Sequence, residues 1–233
     1  MKLSIIIPVF NEEKTIAKII EKVKEVKIKG VTTEIIVVDD GSSDDTVKRI
    51  PRQGIKFIQH PKNMGKGSAV RTGIENATGD YIIIQDADLE YNPNQIPGLY
   101  EAIESGKAKV VYGTRLKRMP HLKGEESRGR FLLHFFGNRM LSLVTSVLYG
   151  QWLTDMETCY KLFPRKAVSG MKLNARSFEF EPEITAKLLK RGFKILELPI
   201  TTVPRGYEEG KKLRTFHDGS IALWTLVRYR FTD

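Results

Sequence analysis

The stretch Gly79-Asp80-Tyr81-Ile82-Ile83-Ile84-Gln85-Asp86-Ala87-Asp88-Leu89-Glu90 decides how the chain is read. Tyr81 to Gln85 is an apolar, β-branched run of the length expected for a buried strand. Three carboxylates follow within five residues. Open α/β sheets bind ligands outside the carboxyl ends of their strands. Residues two apart in an extended segment share a side, so Asp86, Asp88 and Glu90 are expected to face the same way. Like charges that close repel unless something neutralises them. A hard divalent cation, Mg²⁺ or Mn²⁺, takes oxygen ligands of this kind and can in turn hold a diphosphate. The plain alternative is an acidic turn, but the strand-end placement favours the metal. Chemistry on a nucleotide-linked substrate is the expectation.

Upstream, the pattern repeats. Leu3 to Ile7 reads as a buried strand, and Asn11 as the N-cap of a helix carrying Ile16, Ile19, Ile20 and Val23 on one face. Glu34 to Val38 is a second strand, ending in Asp39-Asp40-Gly41-Ser42. Ile55 to Gln59 is a third, and Gly65-Lys66-Gly67-Ser68 leads into a helix through Ala77. This β-α-β-α alternation predicts an α/β fold with a mostly parallel central sheet and helices on both faces. A carboxylate at the second strand end can accept from a base N–H or ribose hydroxyls. Gly65-Lys66-Gly67 looks like a phosphate loop but lacks Walker or Rossmann spacing.

Downstream, regularity falls. Val110 to Tyr112 reads as a short strand leading to Gly113-Thr114-Arg115. Residues 116–128 read as a loop rich in Lys, Arg, Gly and Pro. Phe131 to Leu148 reads as a strongly apolar helix, Tyr160 to Phe163 as a strand, Glu181 to Arg191 as an amphipathic helix capped by Gly192, Lys194 to Ile200 as a strand, and Ser220 to Tyr229 as a closing helix. One domain over residues 1–233 is expected, in two halves, 1–112 and 113–233.

The 233 residues are 41% hydrophobic and 28% charged, a globular composition with a net charge of +10. That charge suits phosphorylated substrates, anionic membranes or nucleic acid. The single cysteine, Cys159, excludes an intrachain disulfide framework and suits a reducing compartment. The start, Met1 to Pro8, is too short and too soon interrupted for a signal peptide. The apolar stretch Phe131 to Tyr149 holds His134, Asn138 and Arg139, which suit it poorly to spanning a bilayer.

Together, Ile7-Pro8-Val9-Phe10-Asn11-Glu12, Val37-Val38-Asp39-Asp40-Gly41-Ser42 and Asp86-Ala87-Asp88 resemble family 2 of the glycosyltransferases, inverting enzymes of the GT-A fold. Within it the chain looks most similar to polyprenyl-phosphate glycosyltransferases of the dolichyl-phosphate mannose synthase type, with Glu90 where those have Gln. The resemblance implies that Pro8, Val9 and Glu12 line the base and ribose pocket, with Asp39 on the base. It implies Asp88 and Glu90 as metal ligands, Asp86 beside them or in the next layer, and Ala87 and Lys66 at the donor. Arg115 and Arg130 would meet an acceptor phosphate, and Asp155 would be an acceptor-side carboxylate. Arg205 and Lys212 would fold over the donor diphosphate.

The aromatic surplus of Phe131, Phe135 and Phe136, with Leu143 and Val147, exceeds what one buried stripe needs. Beside Arg128, Arg130 and Arg139 it suits a membrane interface. Peripheral docking at the cytoplasmic face, an anchoring partner protein, or a truncated chain would each fit. One of Glu179, Glu181 and Glu183 is expected on the acceptor side and the others at the surface. Two rivals stand beside transfer to a lipid phosphate: transfer to a sugar hydroxyl, which asks for a carboxylate base, and a nucleic-acid-binding module, which leaves the acidic strand ends unexplained. No nucleic-acid partner is expected.

Overall fold

The computed structural model describes residues 1–115, 129–203 and 215–232, with the side chains of 129–132, 134, 215 and 216 left aside. Its centre is a seven-stranded sheet in the order β3-β2-β1-β4-β6-β5-β7. The strands are β1 (Lys2–Val9), β2 (Thr32–Asp39), β3 (Lys56–Gln59), β4 (Tyr81–Ile84), β5 (Val110–Thr114), β6 (Lys161–Pro164) and β7 (Ile195–Pro199). The helices are α1 (Ile16–Glu25), α2 (Thr46–Arg49), α3 (Lys66–Asn76), α4 (Ile96–Glu104), α5 (Gly129–Tyr149), α6 (Arg165–Val168), α7 (Phe180–Lys190) and α8 (Thr215–Phe231).

The continuous apolar runs of β1, β2 and β4 are buried on both faces, as parallel strands covered by helices require. β1 pairs in parallel with β2 and β4, setting Val9 opposite Asp39 and Ile6 opposite Ile84. Only β6 runs against the rest, pairing antiparallel with β4 and β5. Its amino-terminal approach, residues 154–160, therefore lies at the same edge as the carboxyl ends of the other strands. Strand direction depends on pairing partners, so the sequence pattern around Tyr160 does not carry it.

Two local readings are corrected. Asn11 is not a helix cap: α1 begins at Ile16, and Asn11 sits at φ 50° with Oδ1 accepting from Ser43 N at 2.8 Å. It ties the β1 turn to the β2 turn instead. The sequence reading also assigns no element to residues 92–108. There Asn92 accepts from Asn94 N at 3.1 Å and opens a 3₁₀ turn running into α4, which buries Leu99, Tyr100, Ala102 and Ile103. A second, small core of Leu141, Met156, Ala222 and Leu226 joins α5 and α8 to the main body.

Candidate active site

A cleft of about 850 Å³ opens along the carboxyl edge of the sheet. At one end it is walled by Pro8, Val9, Phe10 and Glu12 after β1, with Asp40 after β2. Asp39 is fully buried at the tip of β2; its Oδ2 accepts from Ser42 N at 3.2 Å, while Oδ1 has no partner. Asp40 organises the next loop. Its Oδ1 accepts from Met64 N at 2.9 Å and lies 2.7 Å from His60 Nδ1, and its Oδ2 accepts from Gly65 N at 2.7 Å.

That loop delivers Lys66. Gly65 has φ 94°, and a Cβ on it would overlap the Arg176 carbonyl. A Cβ on Gly67 would lie 2.8 Å from the Ser177 carbonyl oxygen. The two glycines are thus required by close backbone approach, and Ser68 N donates to Arg176 O at 3.1 Å. Lys66 is held between two carboxylates, 2.9 Å from Asp86 Oδ1 and 3.0 Å from Glu181 Oε1. Burial opposes its charge, but Asp86 and Glu181 outweigh that and hold its pKa well above the usual lysine range.

The acidic segment departs from the extended form expected. Leu89 sits at φ 65°, and Glu90 N donates to Asp88 Oδ1 at 3.0 Å, so the segment turns back on itself. Asp86, Asp88 and Glu90 all line the cleft, yet among the described residues no three His, Cys, Asp or Glu are gathered as a metal cage. Mg²⁺ usually takes only one or two carboxylates and completes its shell with substrate phosphates and water. Two hard-oxygen donors, Asp86 and Asp88, on a cleft wall fit that requirement.

Across the cleft, Arg115 follows β5. Its Nε and Nη2 donate to Asp155 Oδ2 and Oδ1, both at 2.8 Å, and its backbone N–H donates to Oδ2 at 2.9 Å. The guanidinium stands 5.7 Å over the Tyr91 ring. Glu197 on β7 accepts from Thr154 N and Asp155 N at 2.8 Å, fixing the turn that carries Asp155. Burial raises the Asp155 carboxyl, but Arg115 more than offsets it and the net shift is downward. Asp155 was expected to face the acceptor. It is instead fully buried, is not among the residues lining the cleft, and reaches the site through Arg115. Arg115 itself lines the cleft.

A family model described as glycosyl transferase family 2 matches residues 4–170. The chain belongs to glycosyltransferase family 2. It is 32% identical to the low-salt glycan biosynthesis hexosyltransferase Agl6 of Haloferax volcanii, over 99% of this chain and 53% of that protein. It is 29% identical to a dolichol-phosphate mannosyltransferase of Pyrococcus furiosus, over 98% of this chain and 64% of that protein. The chain thus spans between half and two thirds of the length of these relatives. In fold it is similar to glucosyl-3-phosphoglycerate synthase of Mycobacterium tuberculosis, solved with Mn²⁺, uridine diphosphate and phosphoglyceric acid. The TM-score is 0.75 at 19% identity, covering 100% of this chain and 79% of that one. The same enzyme has been solved with Mg²⁺ and uridine diphosphate. The expected GT-A sheet is the one observed.

In this family 2 domain the three alternate glutamates part company. Glu179 accepts from Arg176 N and Ser177 N at 2.7 and 3.1 Å, bracing the turn before α7. Glu183 is neither at the surface nor in the cleft but fully buried; it accepts from Asn174 N and Ala175 N and pairs with Lys187 at 2.7 Å. Glu181 alone reaches the cleft. The sequence reading names Asp155 and not Glu157, yet of the two it is Glu157 that lines the cleft. Its only sequence signal is a charge between Met156 and Thr158 in a run that is otherwise buried. Lys161, on the buried start of β6, donates to the Met156 and Thr158 carbonyls at 2.6 Å each and so holds the loop that presents Glu157.

Leu133, Phe136 and Met140 of α5 and Leu223 of α8 complete the cleft as an apolar wall and remain solvent-exposed. Leu143 and Val147 are exposed as expected, but Phe135 is buried. Among the described residues no helix is long and apolar enough to cross a membrane. Arg205 and Lys212 lie outside the described residues, as does the side chain of Arg130.

Proposed function

We propose that the domain transfers a hexose, with inversion, from a nucleoside diphosphate sugar to a polyprenyl phosphate at a membrane surface. The observation that carries this reading is the make-up of the cleft: acidic at the β4 end, cationic at Arg115, and apolar along α5 and α8. A polar donor, a phosphate and a hydrocarbon chain each find a matching wall. The dolichol-phosphate relative and the nucleotide-bound structural neighbours support the same assignment.

Pro8, Val9 and Glu12 hold base and ribose, and the unpartnered Asp39 Oδ1 awaits a base N–H. Asp86, Asp88 and Glu90 are the residues that would hold Mg²⁺ or Mn²⁺, and such a cation would supply charge neutralisation for the leaving diphosphate. Lys66 lies next to Asp86 and adds a positive charge facing the diphosphate, and Arg205 and Lys212 are assigned the same task. Asp155 takes two of the five N–H donors of Arg115 and fixes the plane in which the others meet the acceptor phosphate. Arg130 is assigned to the same phosphate. A phosphate monoester carries about −1.5 to −2 charge at pH 7, so it attacks the anomeric carbon without a general base. The hydroxyl-acceptor reading assigns the base to Asp155, which is buried and committed to Arg115. Leu133, Phe136, Met140 and Leu223 take the first isoprene units, at the cytoplasmic face of the membrane, with or without an anchoring partner protein.

The test is radiolabelled transfer from UDP- and GDP-hexoses to a short polyprenyl phosphate, with Mn²⁺, with Mg²⁺ and with EDTA. Cation-dependent labelling of the lipid is expected. Ready transfer to free sugars with none to the lipid phosphate would transfer the assignment to the hydroxyl-acceptor reading.

A further inference from the structure

Two further carboxylates stand in the cleft wall. Glu157 precedes β6 and Glu181 opens α7, yet both line the same cleft. Glu157 Oε1 and Glu181 Oε2 are buried side-chain oxygens without a hydrogen-bond partner. The Glu181 side chain is only 5% exposed. Buried acceptors left unmet cost free energy, so an arrangement that keeps two of them at one cleft asks for donors that arrive with a ligand.

Their position says which part of the ligand brings those donors. Read along the sheet edge, β2 and β1 carry the nucleoside wall, β4 carries Asp86 and Asp88, β6 follows, and β5 carries Arg115. Glu157 on the approach to β6 lies between the diphosphate end and the acceptor cation. Glu181 is tied to the diphosphate end through Lys66, 3.0 Å away on one side, with Asp86 2.9 Å from the same ammonium. Phosphate oxygens bring no donors and are repelled by carboxylates. The hydroxyls of a sugar are donors.

We propose that Glu157 and Glu181 form the hexose-recognition wall of the donor site, accept hydrogen bonds from sugar hydroxyls, and select a neutral hexose over a hexuronate. The proposal rests on the donor reading above. Burial pushes the Glu157 carboxyl up to about 8, with the Glu181 charge adding to the shift and Lys161 and Arg115 opposing it. At neutral pH the wall therefore offers one group that can donate as well as accept, which suits a hydroxyl. A uronic carboxylate would add a further negative charge beside Asp86 and Glu181.

The test is calorimetric binding of UDP, GDP, UDP-glucose, GDP-mannose and UDP-glucuronate with Mn²⁺ to wild type, Glu181→Gln and Glu157→Leu. Each variant should lose roughly tenfold in affinity for the sugar nucleotide that wild type binds, and Glu157→Leu under twofold for the corresponding bare nucleotide. Wild type should bind UDP-glucuronate at least roughly tenfold more weakly than UDP-glucose, if uridine is its base. Glu181→Gln loses the Lys66 pair that faces the diphosphate, so Glu157→Leu, whose melting temperature should match wild type, carries the test independently. Equal losses for sugar nucleotide and bare nucleotide in Glu157→Leu would overturn the proposal and leave the proposed function standing. Binding of neither nucleotide nor any sugar nucleotide to wild type would overturn both.

Discussion

Replacing Asp155 by Asn tests the clamp on which the proposed acceptor recognition is built. The substitution keeps shape but removes the charge facing Arg115, which donates to Asp155 three times at 2.8 to 2.9 Å. Asp155 is fully buried, so water does not replace it. Removing one partner of a buried ion pair costs about 3–5 kcal/mol. Arg115 keeps 21% of its side chain exposed and rests over Tyr91, so it regains some solvation and the low end applies, about 3 kcal/mol. For a domain of this length each kcal/mol moves the melting temperature by about 2–4 °C, giving a fall of about 6–12 °C. Scanning calorimetry reads that number, and lipid-phosphate transfer is assayed on the same protein. Activity should drop at least roughly a hundredfold because the guanidinium loses its orientation, a loss of about 3 kcal/mol in transition-state stabilisation. Donor affinity should change less than twofold. Arg115→Lys should leave folding nearly intact while reproducing the transfer defect, since an ammonium cannot make the bidentate contact. A melting temperature within about 2 °C of wild type, with transfer retained, would refute the reasoning.

Asp88→Ala should abolish the dependence of UDP or GDP affinity on added Mn²⁺, measured by calorimetry with and without EDTA; cation dependence equal to wild type would remove Asp88 from the metal site. Gly65→Ala should destabilise by at least about 1–3 kcal/mol in urea melts, because it combines a left-handed backbone with overlap on the Arg176 carbonyl. Phe136→Glu should release the protein from anionic vesicles at low salt without lowering its melting temperature, whereas Phe135→Glu, at a buried position, should unfold it. Glu34 clamps β1, β2 and the turn before β4 by accepting from Thr78 N at 2.6 Å and Gly79 N at 3.0 Å and pairing with Lys2 at 2.7 Å. Burial opposes its ionisation, but Lys2, Ser4 and Thr78 outweigh it and bring its pKa from 4.5 to about 2. Its contribution, about 3 kcal/mol, is therefore full above pH 4.5 and lost as pH falls toward 2, and Glu34→Gln should flatten stability over that window in acid titrations followed by circular dichroism.

The sequence by itself determined the parallel half of the fold. Runs such as Leu3 to Ile7 and Tyr81 to Ile84 are buried on both faces, and that requirement is written in composition and period alone. It also determined which acidic residues stand at the cleft edge, because Asp86 and Asp88 directly follow such a run, and loops after parallel strands share one edge. Tertiary structure decided what lay between distant segments. The reversed direction of β6, which brings residues 154–158 to the cleft edge, follows from its pairing with β4 and β5. Asp155 and Glu157 are two residues apart and look alike in sequence, yet one is claimed by Arg115 and Glu197 while the other lines the cleft. Glu181 and Glu183 are likewise separated only by what approaches them, Lys66 from α3 in one case and the 174–175 backbone in the other. A charge's role depends on its solvation and its partners, and those are set by chain segments as distant in sequence as Lys66 is from Glu181.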